Sequence, residues 1–275
     1  MLPPADGIIL RDAHPGTAVN TLRSIHPSVA RDDKPELIVA SLDPFNPKSG
    51  YNPNGPSSYS EAFKKAYFEG QAIRMNRLIE LALAKLRPIE VSVHANDDAP
   101  FIVPRGDAAK LFQLDLSILH GTVSPRKLLK NDGAIDECCT IKSVRVAVPN
   151  IARQNAAFDG GTLFLTLRSF LSANAIRASN SLDGIDHCSS NNSTVCALQS
   201  ISVPVLFGAM GGHYFIRDNE IHYEVAKSKD KDFITIEGAT HGITPCVECE
   251  TRPGQYSNSV RNFFDYVAKW VNARF

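Results

Sequence analysis

Apolar residues recur along this chain in two rhythms. Near the start, Gly7-Ile8-Ile9-Leu10 is an aliphatic run inside Asp6 to Asp12, closed by "DAHPG". It predicts a short buried strand of the parallel type. From Ser58 to Arg87 the spacing becomes helical. Phe68, Ala72, Met75, Ile79, Ala82 and Leu86 form one stripe, Ser58 and Glu61 make a capping-box pattern, and Pro88 marks the expected end. The stripe reads as core. Lys64, Lys65, Arg74, Arg77 and Lys85 read as a solvated face. From Ile201 the two rhythms alternate. "ISVPVLFGAMGG" predicts a strand, "IRDNEIHYEVAKSKD" an amphipathic helix and "KDFITIEG" a strand. "GQYSNSVRNFFDYVAKWVNARF" predicts a final helix. Val260, Phe263, Phe264, Val267, Trp270 and Val271 fall on its inner side. Such alternation marks a parallel α/β sheet.

The middle of the chain is less regular. Residues 20–54 carry turn chemistry throughout, as in "LDPFNPKSGYNPNGP". Apolar runs at 101–104, 111–116 and 143–148 suggest strands or extended pieces. "GTLFLTLRSFLSANAIRAS" fits a strand or a helix, and its length favours a helix. "SPRKLLKNDG" reads as a basic surface element.

Charge excludes more than it suggests. Lys plus Arg equals Asp plus Glu, 29 each, so nothing points to nucleic acid or an anionic membrane as partner. No apolar run approaches the roughly 18 residues of a spanning helix. The opening has no basic leader and too short an apolar stretch for a secretory signal. The six cysteines are too few for a disulfide scaffold, so the default expectation is a reducing, cytoplasmic setting. "CSSNNSTVC" allows the opposite. It holds overlapping sequons at Asn191 and Asn192 between two cysteines, which an exported chain could glycosylate and bridge.

One loop carries candidate chemistry. "DFITIEGATHGITPC" reads as a strand, a small-residue turn and His241. A loop leaving the C-terminal edge of a parallel sheet reaches the crevice where ligands bind. An imidazole there can take and return a proton near neutrality. A lone Cys246-x-x-Cys249 supplies only two of the four ligands of structural zinc. "GAMGG" reads as a flexible turn, with no Walker spacing after it.

The run "ISVPVLFGAMGGHYF…KDKDFITIEGATHGITPC…FFDYVAKWVNARF" resembles the C-terminal end of an α/β-hydrolase, and "ADGIILRDAHPG" looks like the core strand before it. The resemblance implies a partial hydrolase sheet made of the last core strands: a core strand in 1–19, a large, mainly helical lid inserted over 20–198, and the C-terminal core in 199–275. It implies His241 as the catalytic base. The orienting acid is either Asp12, at the end of the first strand, or Asp218. The latter's other role is to cap or compensate a helix. His213 occupies the position that often holds the acid, and either contacts substrate or packs locally.

The family's Gly-x-Ser-x-Gly elbow does not occur in this sequence. In Asp12-Ala13-His14-Pro15-Gly16 the central residue is a histidine, and Pro15 has no N–H to offer an oxyanion. The resemblance therefore implies a serine hydrolase acting on an ester, lactone or amide of a small organic molecule. It needs no metal or organic cofactor, and the chain would begin after its nucleophile. The alternative is a catalytically inactive relic or binding module.

Overall fold

The computed structural model describes residues 5–91, 97–107, 110–137, 139–147 and 161–275. In chain order the strands are β1 (Ile8–Arg11), β2 (Val29–Arg31), β3 (Lys34–Ile38), β4 (Pro100–Val103), β5 (Lys127–Leu129), β6 (Ile135–Asp136), β7 (Leu163–Thr166), β8 (Val205–Met210) and β9 (Lys231–Ile236). The principal helices are α1 (Thr17–Ser24), α2 (Glu61–Glu90), α3 (Ile216–Val225) and α4 (Ser259–Asn272). The chain divides into two compact units. Unit 1 is Met1–Pro15, Leu116–Val146 and Thr194–Phe275. Unit 2 is Gly16–Asp115 and Ala147–Ser193.

Unit 1 is built on a five-stranded sheet in the order β1-β8-β9-β5-β6. β1, β8, β9 and β5 run parallel, and β6 closes the far end antiparallel to β5. All six residues of β8 are buried, as expected of a parallel strand covered on both faces. Its side chains alternate accordingly. Val205, Phe207 and Ala209 pack with Phe233 and Ile216 on the α3 side. Leu206 and Met210 pack with Ile234, Ile236, Phe263 and Trp270 on the α4 side. Gly208 is where α4 comes closest: a Cβ there would meet the Phe263 ring at 2.7 Å.

Unit 2 centres on α2. Its buried stripe is the one the spacing predicts, Phe68 through Leu86. Met75, Leu78, Ile79 and Ala82 pack with Ala18, Val19, Leu22 and Ile25 around α1, and with Phe101 and Val103 of β4. Two antiparallel pairs, β2 with β3 and β4 with β7, complete it.

Several expectations change. Residues 20–198 do not form one inserted region: 116–146 and 194–198 belong to unit 1, and β5 and β6 extend the sheet beyond β9. "SPRKLLKNDG" is part of that extension, with Lys127 and Lys130 paired to Asp232 and Glu237. α2 is capped by Ser60, whose hydroxyl accepts from Phe63 N–H, and it continues past Pro88 to Glu90. A proline in the last turn removes only one ladder bond. Arg74 is not solvated. It is buried and donates to Asp32 and to the carbonyls of His26 and Pro104. The run at 161–179 opens as strand β7 before a helical turn, because Leu163–Thr166 pairs with β4. Leu111–Leu114 is a helical turn, 143–147 lies in neither helix nor strand, and residue 148 lies outside the described residues. On α4, Val260 and Phe264 face outward.

No described cysteine is free. Cys246 and Cys249 are disulfide-bonded to each other, and Cys139, Cys188 and Cys196 are also disulfide-bonded. Cys138 lies outside the described residues. Asn191 is exposed, while the side chain of Asn192 accepts from Thr17 N–H. Among the described residues no helix is long and apolar enough to cross a membrane.

Unit 2 contains a pH-sensitive core position. His26 is fully buried beside Ser28. Asp43 is 3.7 Å from its Nε2, too far for a hydrogen bond. Burial, reinforced by the charges of Arg105 and Arg74, lowers its pKa from 6.5 to about 3. The unfolded chain therefore takes up a proton at His26 as pH falls below 6.5, and the folded chain does not. Stability is lost through that window, down to about 3. Chemical denaturation from pH 7 to pH 4 should show a decline that His26→Gln flattens. An equal slope in both proteins would contradict it.

Candidate functional site

The site grows from the ends of three adjacent parallel strands. Asp12 immediately follows β1 and has φ +42°, a left-handed conformation that aspartate tolerates better than most residues. Its N–H continues the ladder to Gly208 O at 2.6 Å. The turn then swings the carboxylate back over β8, where Oδ1 accepts from Met210 N–H at 3.2 Å. Asn219 on α3 fixes the turn from behind, accepting from Ala13 N–H and donating to Ala13 O.

His213 follows β8. Its N–H bonds Met210 O, and the two preceding glycines press against the next loop. A Cβ on Gly211 would lie 2.9 Å from Ile236 O, and one on Gly212 2.9 Å from both Ala239 O and Cys246 Cβ. The first three residues of "GAMGG" thus end β8, and Gly211-Gly212 form a packed turn in which glycine permits close backbone approach. Ser143 Oγ donates to His213 O, and Val144 N–H to Gly211 O, so residues 143–144 brace it.

His241 follows β9 on a short closed loop. Gly238 opens the loop with φ +58° and the Tyr256 ring against its Cα, leaving no room for a Cβ. Thr240 N–H bonds Thr244 O, and the two threonine hydroxyls lie 2.8 Å apart. Cys246 N–H bonds Gly238 O, and the Cys246–Cys249 disulfide closes the base. That disulfide removes both cysteines from any zinc reading.

These three turns bring Asp12, His213 and His241 together. An ionised carboxylate only accepts, so His241 Nδ1–H donates to Asp12 Oδ2, at 2.8 Å. His241 then carries its acceptor lone pair on Nε2. Its side chain is 51% exposed, whereas Asp12 is fully buried. His213 Nδ1 lies 2.7 Å from the same oxygen. That nitrogen is buried and lacks the alignment of a hydrogen bond. Phe215 lies beside both imidazoles, with ring centroids 4.8 Å and 5.7 Å away. Burial pushes the Asp12 pKa up, but the adjacent imidazoles of His213 and His241 prevail and hold it below 3.8.

Of the expected site residues, His241 and Asp12 meet. Asp218 is buried in the first turn of α3 and is not part of this cluster. Sequence reasoning left the role of His213 open and missed Asn219, Ser143 and Met210. Their contacts span large sequence separations and leave no local motif. A cleft of about 150 Å³ in the same unit is lined by Gly211, Gly238 and Tyr256 but by none of the three clustered side chains.

No protein-family model matches this chain, and no match was found among curated proteins or solved structures.

Removing the carboxylate strands the Met210 N–H and two imidazoles. Asp12→Ala should therefore destabilise unit 1 by about 1–3 kcal/mol at neutral pH. Because the folded-state pKa is depressed, this contribution is present above 3.8 and fades as pH falls through the folded value. Denaturant melts should show the gap between the two proteins narrowing in acid. A gap that is absent at pH 7, or that widens in acid, would count against the geometry.

Proposed function

We propose that unit 1 carries the acid–base half of a serine-hydrolase site of the α/β-hydrolase type, acting on an ester, lactone or amide of a small organic molecule. The observation that carries this reading is the Asp12–His241 hydrogen bond. An acid that holds Nδ1–H fixes the tautomer and leaves Nε2 to take a proton from a nucleophile and return it to the leaving group. Both residues sit on loops at the C-terminal ends of parallel strands, where α/β sheets place their chemistry. In this reading His241 is the base, Asp12 the orienting acid, and Asp218 a helix-terminus residue.

The nucleophile has no elbow motif in this sequence, so the reading assigns it to polypeptide outside these residues. β1 supports that assignment. Among the described residues it is the terminal strand of the sheet, and Ile9 on it is 40% exposed. A parallel, apolar edge is a site for further strand pairing. The second reading, an inactive relic or binding module, is favoured by the missing elbow alone. The disulfides favour an oxidising compartment over the cytoplasm.

The coding sequence upstream of Met1 should contain, in frame, a strand followed by Gly-x-Ser-x-Gly. A protein extended to include it should hydrolyse p-nitrophenyl esters and react with a fluorophosphonate probe. In that protein His241→Ala should abolish turnover, and Asp12→Asn should lower kcat about ten-thousand-fold. The chain as given should show neither turnover nor labelling. Labelling of the given chain, or activity that survives His241→Ala, would overturn the proposal.

A further inference from the structure

The Asp12–His241 pair accounts for two of the three clustered side chains. It leaves His213 unexplained. A hydrolytic base needs one imidazole on its carboxylate. Here a second imidazole presses its Nδ1 to 2.7 Å from the same oxygen, Oδ2, without hydrogen-bond alignment. That nitrogen faces the carboxylate at ion-pair distance without forming a well-aligned hydrogen bond. The arrangement makes sense if the partner is a cation. Asp12, His213 and His241 each offer one ligand atom, and those atoms all lie within 4.8 Å of one another. We propose that Asp12, His213 and His241 form a binding site for a divalent transition-metal ion, with Zn²⁺ the best-suited occupant.

The donor set fits that class. Two imidazoles beside one carboxylate suit zinc and its neighbours, whereas calcium and magnesium prefer all-oxygen sets. The set is open on one side, because His241 is half exposed while Asp12 is fully buried. Three protein ligands and an open position describe a zinc site that retains a water or an external ligand. The surrounding bonds are of the supporting kind. Met210 N–H holds the other carboxylate oxygen, and the bonds from Ser143 and Met210 fix the backbone of His213.

Binding requires adjustment at all three pairs of ligand atoms, including the two ring nitrogens, which start within 4.8 Å of one another. Zinc bonds of about 2.0–2.1 Å in a tetrahedron set ligand atoms roughly 3.3 Å apart. The Asp12 oxygen would therefore separate from each nitrogen by about half an ångström. His241, on the exposed loop, has room for this. Each imidazole would present its Nδ1 lone pair and carry its proton on Nε2, so neutral rings change tautomer without releasing a proton.

The site does not depend on the hydrolase reading, since it needs only the three side chains. The two uses exclude each other in time. A metal on Nδ1 of His241 moves the ring proton to Nε2, the nitrogen a general base must keep open. Zinc would therefore inhibit any reaction that uses His241 as base, reversibly on chelation.

The test is titration of Zn²⁺ into the purified, chelator-treated chain, followed by calorimetry. One Zn²⁺ should bind per chain, and His213→Ala should weaken binding at least about tenfold while leaving the Asp12–His241 pair in place. Circular dichroism in zinc-free buffer checks that the variant folds, with His213→Gln as a second version. A wild-type readout stands apart from any variant. Co²⁺ should shift the ring-proton NMR signals of His213 and His241 together. Absence of stoichiometric Zn²⁺ binding, unchanged affinity in folded His213 variants, or Co²⁺ shifts confined to other histidines would each overturn the proposal. None of these readouts involves catalysis, so they stand whether or not the hydrolase reading does.

Discussion

The candidate site depends on one buried carboxylate. Burial pushes the Asp12 pKa up, yet it sits below its ordinary value because the imidazoles of His213 and His241 stand against Oδ2; Met210 N–H holds Oδ1 in place. A buried charge is tolerated only when it is paired. The pairing here requires three loops to end at one point. The parallel register meets that requirement. β1 ends opposite Gly208, two residues before the end of β8, and β8 and β9 end level, Met210 against Ile236. Each strand then has only a short turn in which to deliver its side chain.

The turns show how local sequence meets that constraint. Asp12 takes a left-handed φ, Gly211 and Gly212 allow backbone to touch backbone, and Gly238 leaves space for the Tyr256 ring. Around them are bonds from distant segments: Asn219 to Ala13, Ser143 to His213, and the Cys246–Cys249 disulfide at the base of the His241 loop. These supports belong to unit 1 alone, so the site's geometry is internal to one compact body.

Much of this was legible in the sequence. The aliphatic run before Asp12, the strand–helix alternation after Ile201 and the α2 stripe all follow from hydrophobic period, and His241 stood out through its strand–turn context. Position along the chain leaves Asp12 and Asp218 both open as the acid; the carboxylate that accepts from His241 is that of Asp12. Other features were illegible for physical reasons. β5 is three residues long, and its place beside β9 is fixed by a register that no local pattern records. The run 161–179 fits strand or helix, with only its length favouring helix, but Leu163–Thr166 pairs with β4. Arg74 looks like any lysine or arginine on a helix until Asp32 and three carbonyls enclose it. His213 could not be assigned because its meaning lies in a distance to a residue some two hundred positions away.

The central claim is that Asp12, and not Asp218, holds Nδ1–H of His241. The most direct measurement is the exchange-protected imidazole N–H proton of His241 in the NMR spectrum of the folded chain, recorded without divalent metal. A downfield signal should be present in the wild type and in Asp218→Asn. It should be absent in Asp12→Asn, provided that variant remains folded. Loss of the signal in Asp218→Asn with retention in Asp12→Asn would contradict the account.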